Sequence, residues 1–160
     1  MRVLALTSLS MGVIELGHVN LWVSGLDRSA ARYRDALGFT EVARGVLHRR
    51  QVAFFSLGTR HHDLALVEAP GATVQAGPPQ LGLNHIGLKV GNCLDDLRHM
   101  RDALIVRGVM PSRYVEHRVC QSMHVDDPDG NTVELYVDAD PAIWARDPQS
   151  IVCSEPLLLD

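Results

Sequence analysis

Two histidines occupy equivalent places in two similar segments of the sequence. The segment GHVNLWV, residues 17–23, contains His18, and the segment NHIGLKV, residues 84–90, contains His85. Because side chains alternate across a β-strand, each histidine shares a face with polar or small residues and leaves the aliphatic residues on the other face. An imidazole on such a mixed face can bind a metal ion or exchange a proton near neutral pH.

A carboxylate stands in a third segment of the same kind. In NTVELYV, residues 131–137, Glu134 and Tyr136 share the mixed face of the predicted strand. Two imidazoles and one carboxylate form the set that holds a non-heme Fe(II) and leaves open positions for substrate and oxygen. We therefore predict that His18, His85 and Glu134 bind a metal around a cleft. The alternative is that both histidines only pack within a sheet and that Glu134 is solvated.

The histidine segments belong to an internal repeat. His18 and His85 are 67 residues apart, and RDAL at 34–37 recurs as RDAL at 101–104 with the same offset. Two copies are too few for a solenoid, so we predict an intramolecular duplication that forms one domain over residues 1–160. Its predicted parts are module one at about 14–69, a Pro- and Gly-rich linker at 70–80, module two at about 81–140 and a C-terminal tail at 141–160.

Each module is predicted to contain one strand, one helix and three further strands. Apolar residues near helical spacing favour the helices, Asn92 is a suitable N-cap for the second helix, and Gly38 and Gly108 are typical helix stops. The predicted bounds in module one are strand 16–23, helix 27–37 and strands 39–46, 50–57 and 62–68. In module two they are strand 83–90, helix 93–107 and strands 111–116, 119–126 and 131–138.

Composition narrows the class of protein. The chain has 160 residues, of which 46% are hydrophobic and 21% charged, and its net charge is −4. These values are typical of a globular domain and give no electrostatic footprint for nucleic acid. Three well-separated cysteines favour reduced thiols over a disulfide framework or a zinc site. No apolar run has the length of a membrane span, and the N-terminus makes a weak signal peptide, so we expect a cytoplasmic protein that binds neither nucleic acid nor membrane.

The same segments resemble the vicinal oxygen chelate superfamily, which contains glyoxalase I, fosfomycin-resistance proteins, bleomycin-resistance proteins and extradiol dioxygenases. The resemblance covers roughly residues 14–146 and is carried by GHVNLWVSGLDRSAARYRDALGF, HHDLALVE, LNHIGLKV and HRVCQSMHVDDPDGNTVELY. It implies an α+β fold in which two tandem βαβββ modules form one domain with a curved mixed β-sheet, an open barrel, around a metal cleft. The metal ligands it implies are His18, His85 and Glu134.

The resemblance is closest to type I extradiol dioxygenases. Glyoxalase I has a fourth ligand, a carboxylate, where Ala65 aligns with Glu134, and this disfavours glyoxalase I activity. HHDLAL resembles the segment that carries the acid–base histidine, which matches His62, although strict strand alternation would instead give His61 the parity of Ala65. His117 resembles a second active-site histidine, and His124 replaces the usual substrate-binding tyrosine. The implied catalytic and substrate-binding residues are His62, His117 and His124, with Trp22, Asn20 and Tyr136.

The expected function is ring cleavage of a catechol-type aromatic diol with O₂ at an Fe(II) centre, with Mn(II) as the alternative metal. A lyase, an isomerase or a Mn(II)-dependent thiol transferase on the same scaffold is a second possibility. A small-molecule-binding resistance protein without metal is a third, and the ligand set counts against it. The sequence identifies neither the substrate nor the oligomeric state, although relatives often form homo-oligomers.

Overall fold

The computed structural model describes residues 13–73 and 81–159. The predicted linker at 70–80 therefore lies mostly outside the described residues, as does the N-terminal segment up to residue 12. In the described part of the chain, no helix is long and apolar enough to cross a bilayer.

The first module forms a four-stranded sheet in the order β1-β4-β3-β2. Strands β1 and β4 are parallel, whereas β4, β3 and β2 pair antiparallel. Gly38, with φ of 77°, follows the helical segment in the left-handed conformation typical of a helix stop. The elements are β1 (Val19–Val23), α1 (Leu26–Ala31) with a π-helical turn (Arg32–Ala36), β2 (Thr40–Leu47), β3 (Arg50–Ser56) and β4 (Leu64–Glu68).

The second module repeats this order and adds a strand from the C-terminal tail. Its sheet has five strands in the order β5-β8-β7-β6-β9, and β5 and β8 form the parallel pair. The repeated elements are β5 (Ile86–Gly91), α2 (Leu94–Val106), β6 (Arg113–Glu116), β7 (Cys120–Asp126) and β8 (Thr132–Asp138). The tail contributes α3 (Ala142–Arg146), a 3₁₀ turn (Pro148–Val152) and β9 (Glu155–Pro156).

The register of the two sheets confirms the duplication. In the first sheet Asn20 lies beside Ala65, and Ala65 lies beside Phe54. In the second sheet the corresponding row is Gly87, Glu134 and His124. Ala65 therefore occupies the place in module one that Glu134 occupies in module two.

One hydrophobic core joins the two modules. The aliphatic faces of β1 and β8 are buried, as alternation predicts, and they belong to one cluster with the apolar sides of both helices. Burial of this apolar area is the main force that holds the modules together. Core members from the two modules include Leu21, Val23, Tyr33, Leu97, Leu104, Val133, Leu135 and Val137.

Polar contacts reinforce this junction at the turn between β7 and β8. The Tyr33 hydroxyl donates to Asp127 at 3.1 Å inside the core. Asp129 accepts hydrogen bonds from the hydroxyls of Ser24 and Ser29, and Arg28 forms an ion pair with it at 2.8 Å. The β7–β8 turn of module two is therefore fixed to the helix of module one.

The predicted α+β fold with two βαβββ modules is confirmed, and its strands form two sheets that are not closed into a barrel. Several boundaries differ from prediction. β1 and β5 begin at Val19 and Ile86, so each predicted histidine ligand lies immediately before its strand. The N-cap of α2 is Cys93 and not Asn92. The Asp96 carboxylate accepts hydrogen bonds from the backbone amides of both residues.

Candidate metal centre

Three imidazoles of module two surround the carboxylate of Glu134. The distances from its oxygens are 3.2 Å to His85 Nε2, 3.6 Å to His117 Nε2 and 3.9 Å to His124 Nε2. Glu134 is only 13% exposed, since it lies on the mixed face of β8 beside Gly87 and His124. A largely buried carboxylate among three imidazoles brings together the oxygen and nitrogen atoms that bind transition-metal cations.

The contacts of His85 fit a metal ligand. The Oδ1 atom of Asn84 lies 2.7 Å from His85 Nδ1, and this oxygen can only accept, so the ring donates from Nδ1. In the neutral ring Nε2 then carries a lone pair and faces Glu134, which has only acceptor atoms. Two acceptors 3.2 Å apart repel unless a cation lies between them. That separation is close to the distance between two ligand atoms that each lie about 2.1 Å from one metal ion at roughly a right angle.

His124 presents a different pattern of contacts. It is 2% exposed, and its Nε2 faces the guanidinium of Arg113 at 3.1 Å, so that nitrogen accepts and Nδ1 carries the proton. Burial, followed by the charge of Arg113, lowers the pKa of His124. Nδ1 of His124 and the hydroxyl of Ser122 are buried without a hydrogen-bond partner among the described residues. Both atoms are shielded from solvent and lie on the same face of β7.

His18, His61 and His62 form a second group, on module one. The ring centroid of His62 lies 4.5 Å from that of His18 and 5.1 Å from that of Phe54. Because β4 begins only at Leu64, strand alternation does not govern His61 and His62. His61 is exposed, whereas His62 is half-buried against Phe54 and His18. Burial, followed by the nearby His18 and His61, lowers the pKa of His62.

Gly87 lies between the two groups. It is the strand partner of Glu134, and it lines a cavity of about 210 Å³ together with His18. A Cβ atom placed on Gly87 would be 3.7 Å from Glu134 Oε2 and 3.6 Å from the Tyr136 ring. Gly87 therefore borders both the His18 cavity and the carboxylate.

The structure brings His85 to Glu134 but does not close the predicted ligand set. Within residues 13–73 and 81–159, no group of three or more His, Cys, Asp or Glu side chains is arranged to hold a metal ion. His18 has an exposed side chain on the other sheet. The centre made of His18, His85 and Glu134 therefore stays a prediction.

The predicted substrate-binding residues lie in different surroundings. Trp22 is 63% exposed, and the Arg50 guanidinium lies 5.1 Å from its ring centroid, in cation–π contact. Asn20 is exposed beside Ala65, and Tyr136 is half-buried near Gly87. Trp22 therefore offers an open aromatic surface on module one.

A family model decides the relationship of this chain to known proteins. The model of the Glyoxalase/Bleomycin resistance protein/Dioxygenase superfamily matches residues 15–135, a range that includes His18, His85 and Glu134. The chain belongs to this superfamily. A solved glyoxalase/bleomycin resistance protein/dioxygenase domain from Frankia sp. EAN1pec has a TM-score of 0.68 and 22% identity, and the match covers 80% of this chain and 100% of that domain. That likeness supports the superfamily fold.

Two curated superfamily relatives are named as dioxygenases. Biphenyl-2,3-diol 1,2-dioxygenase 3 of Rhodococcus globerulus is 32% identical over 127 residues, which are 77% of this chain and 63% of that protein. Catechol-2,3-dioxygenase of Bacillus subtilis (strain 168) is 28% identical over 134 residues, which are 82% of this chain and 44% of that protein. The chain therefore spans about half to two-thirds of the length of these relatives.

Sequence reasoning missed several groups that line the candidate centre. Arg113 and Ser122 became visible only with the register of β6, β7 and β8. The carbonyl of Cys153, which contacts His117, comes from the C-terminal tail, for which no function was predicted. The sequence could have singled out Gly87, because a glycine inside a strand, on the same face as His85, is typical of a site that another group approaches closely.

Proposed function

We propose that this protein is an extradiol dioxygenase that cleaves the ring of a catechol-type aromatic diol with O₂ at an Fe(II) centre. The observation that carries the proposal is the close approach of two potential metal-ligand atoms, His85 Nε2 and Glu134 Oε2, at 3.2 Å. The dioxygenase names of two relatives, at 32% and 28% identity, support the reaction class. Mn(II) is the alternative metal, because this ligand chemistry selects poorly between the two ions.

In this proposal His18, His85 and Glu134 hold the metal. The bound metal would supply positions at which the diol oxygens and O₂ are held next to each other, which replaces a three-body encounter. Asn84 fixes the His85 ring through Nδ1, as second-shell partners of metal-bound histidines do. Gly87, which has no side chain, borders both the cavity of His18 and the carboxylate of Glu134, so a residue without a side chain stands where the two modules would share the metal.

The remaining histidines handle protons and substrate oxygens in this proposal. His62 accepts a proton from the diol as it binds, since its lowered pKa keeps the ring in the neutral form that can take up a proton. His124 lies beside Glu134 and contacts a substrate oxygen in this proposal, while Arg113 holds its ring through Nε2. The Trp22 face and the Arg50 guanidinium above it line the approach from module one.

Oxygen uptake tests the proposal directly. Protein reconstituted anaerobically with Fe(II) is mixed with a panel of catechols, and Glu134→Ala serves as the metal-ligand control. We expect uptake that requires both a catechol and Glu134 and that yields a ring-opened product. Stoichiometric metal binding without uptake for any catechol would overturn the dioxygenase proposal and favour a lyase, isomerase or transferase reaction of the same superfamily.

A further inference from the structure

The hairpin between β2 and β3 carries one imidazole and two guanidinium groups in succession at its tip. Leu47 pairs with Arg50, so His48 and Arg49 form a two-residue turn between the strands. His48 has φ of 47° and Arg49 has φ of 68°. This left-handed conformation is the one that tight hairpin turns require, and Gly and Asn adopt it with the least strain. The turn therefore carries two long side chains at a cost in backbone strain.

The side chains of this turn are free to bind a ligand. His48 and Arg49 are exposed, and within residues 13–73 and 81–159 neither side chain forms a hydrogen bond or an ion pair. Strained backbone conformations of non-glycine residues cluster at binding sites and ligand clamps. The strain and the unpaired donors together indicate a binding role for the turn.

His48, Arg49 and Arg50 line one open cavity of about 450 Å³, a size typical of small-molecule sites. Its other described walls are Gln51, Glu68 and Pro70. The carboxylate of Glu68 is already engaged, because its Oε1 accepts the backbone amide of Leu26 at 2.9 Å. Two guanidinium groups and one imidazole therefore face a single, hydrogen-bonded carboxylate, and this balance favours an anionic ligand.

Arg50 connects the cavity to an exposed aromatic ring. Its Nη1 donates to the carbonyl of Glu68 at 3.2 Å, and its guanidinium lies 5.1 Å from the ring centroid of Trp22. A guanidinium has five N–H donors, so others remain for a ligand. Trp22 is 63% exposed, although indole is among the largest apolar surfaces that a side chain can bury. A ring beside guanidinium groups suits an aromatic carboxylate, whose two oxygens match the donor fork of arginine.

We propose that the tip of the β2–β3 hairpin is a second binding site, for a small aromatic carboxylate whose oxygens are bound by Arg49 and Arg50 and whose ring packs against Trp22. The cavity shares no lining residue with the candidate metal centre, so the inference goes beyond the proposed function and does not depend on it. A large polyanion is a poorer occupant, because it needs a wider basic surface and the chain has a net charge of −4.

Tryptophan fluorescence of the full-length protein tests the site. Trp22 and Trp144 are the two tryptophans of the chain, so Trp144→Phe leaves Trp22 as the reporter. Metal is omitted, so that a carboxylate cannot bind at the candidate centre. Benzoate is the probe, benzyl alcohol supplies the ring without the charge, and acetate supplies the charge without the ring. We expect benzoate to change the Trp22 emission saturably, with a Kd at least about 10-fold below those of the other two.

Two results of this titration would overturn the inference. One is the absence of a saturable response to benzoate, and the other is equal affinity for benzoate and benzyl alcohol. Both are read in a chain that retains the native hairpin, so they decide the question even if a hairpin variant does not fold.

A variant of the turn separates binding from folding. His48→Asn combined with Arg49→Gly gives the turn the residues that its backbone favours and removes two of the ligand-binding side chains. We expect its urea unfolding midpoint to equal or exceed that of the parent, while the Kd of benzoate rises about 10-fold. Arg146→Gln, at an exposed arginine on α3, is the matched control and should bind benzoate as the parent does. Unchanged benzoate affinity in the turn variant would contradict the inference.

The outcomes separate this inference from the proposed function. Benzoate binding at the hairpin without oxygen uptake for any catechol would support the second site and contradict the dioxygenase proposal alone. Oxygen uptake without saturable benzoate binding would contradict the second site alone.

Discussion

The two modules share a backbone plan but differ on their mixed faces. In module one the row across the sheet is Asn20, Ala65 and Phe54, and the row that corresponds to it in module two is Gly87, Glu134 and His124. A row without an ionisable side chain in module one therefore corresponds to a row with Glu134 and His124 in module two. Their aliphatic faces, in contrast, join in one core.

This difference shows how a duplicated fold acquires an asymmetric site. The core faces must continue to match each other, because close packing penalises changes of volume. The mixed faces are free of that constraint, so Glu134 and His124 can stand where module one has Ala65 and Phe54. In module one the ionisable groups come instead from the start of β1 and the loop before β4, which carry His18 and His62.

The largest effect should come from Glu134, the residue in which the modules differ most. Glu134→Gln keeps the size of the side chain but removes the charge that attracts a cation. We expect Mn(II) affinity, measured by calorimetry, to fall at least about 100-fold. Asp138→Asn, at the exposed end of the same strand, is the control and should bind as the wild type does. If Glu134→Gln bound Mn(II) as tightly as the wild type, the charge of Glu134 would not explain why the metal prefers module two.

His18 tests whether the centre spans both modules. His18→Asn removes the imidazole of module one and leaves the wall of module two intact. We expect Mn(II) affinity to fall about 10- to 100-fold, as for the loss of one ligating group. An affinity equal to that of the wild type would place the metal entirely on module two, and His61→Asn is the neighbouring control.

Gly87 tests the open space between the modules. Gly87→Ala adds a methyl group at ordinary contact distances, 3.6 Å from Tyr136 and 3.7 Å from Glu134, so metal affinity should change less than about 3-fold. Gly87→Val adds two more carbons toward the same neighbours and should weaken binding about 10-fold, because it separates His18 from Glu134. If Gly87→Ala and Gly87→Val both bind Mn(II) as tightly as the wild type, metal binding does not require a residue without a side chain at this position.

Asp129 tests the junction between the two modules. Its substitution should have the smallest effect of the four. Burial alone would raise the pKa of Asp129, but hydrogen bonds from Ser24 and Ser29 outweigh it and hold that pKa below its ordinary value. Asp129→Asn should therefore lower the free energy of unfolding at pH 7 by about 1 kcal/mol. Because Arg28 is largely exposed, its ion pair adds little to this value.

The pH dependence of this effect has a defined sign. A depressed carboxyl pKa stabilises the folded state above the ordinary value near 4 and loses that contribution as the pH falls through the lower value of the folded protein. The difference between wild type and Asp129→Asn in urea unfolding should therefore be full at pH 7 and shrink below about pH 4. A constant difference down to pH 3 would contradict this account.

Most of the fold followed from the sequence, because periodicity and repetition are local signals. The alternation in β8 predicted its buried face, and the 67-residue offset between His18 and His85 predicted the two similar modules. Gly38 and Gly108 ended their helices as expected, with φ of 77° and 73°. The start of β4 was wrong by two residues, since the loop that carries His61 and His62 has no periodicity to reveal it.

The sequence by itself determined which residue types stand on the mixed faces, and hence the presence of His85 and Glu134 on neighbouring elements. Only the tertiary structure decided the surroundings that give each imidazole its chemistry. Arg113 reaches His124 across a strand pair, and the Cys153 carbonyl reaches His117 from a segment 36 residues away. Tautomers depend on such long-range donors and acceptors, and these distances exist only once the sheets have formed.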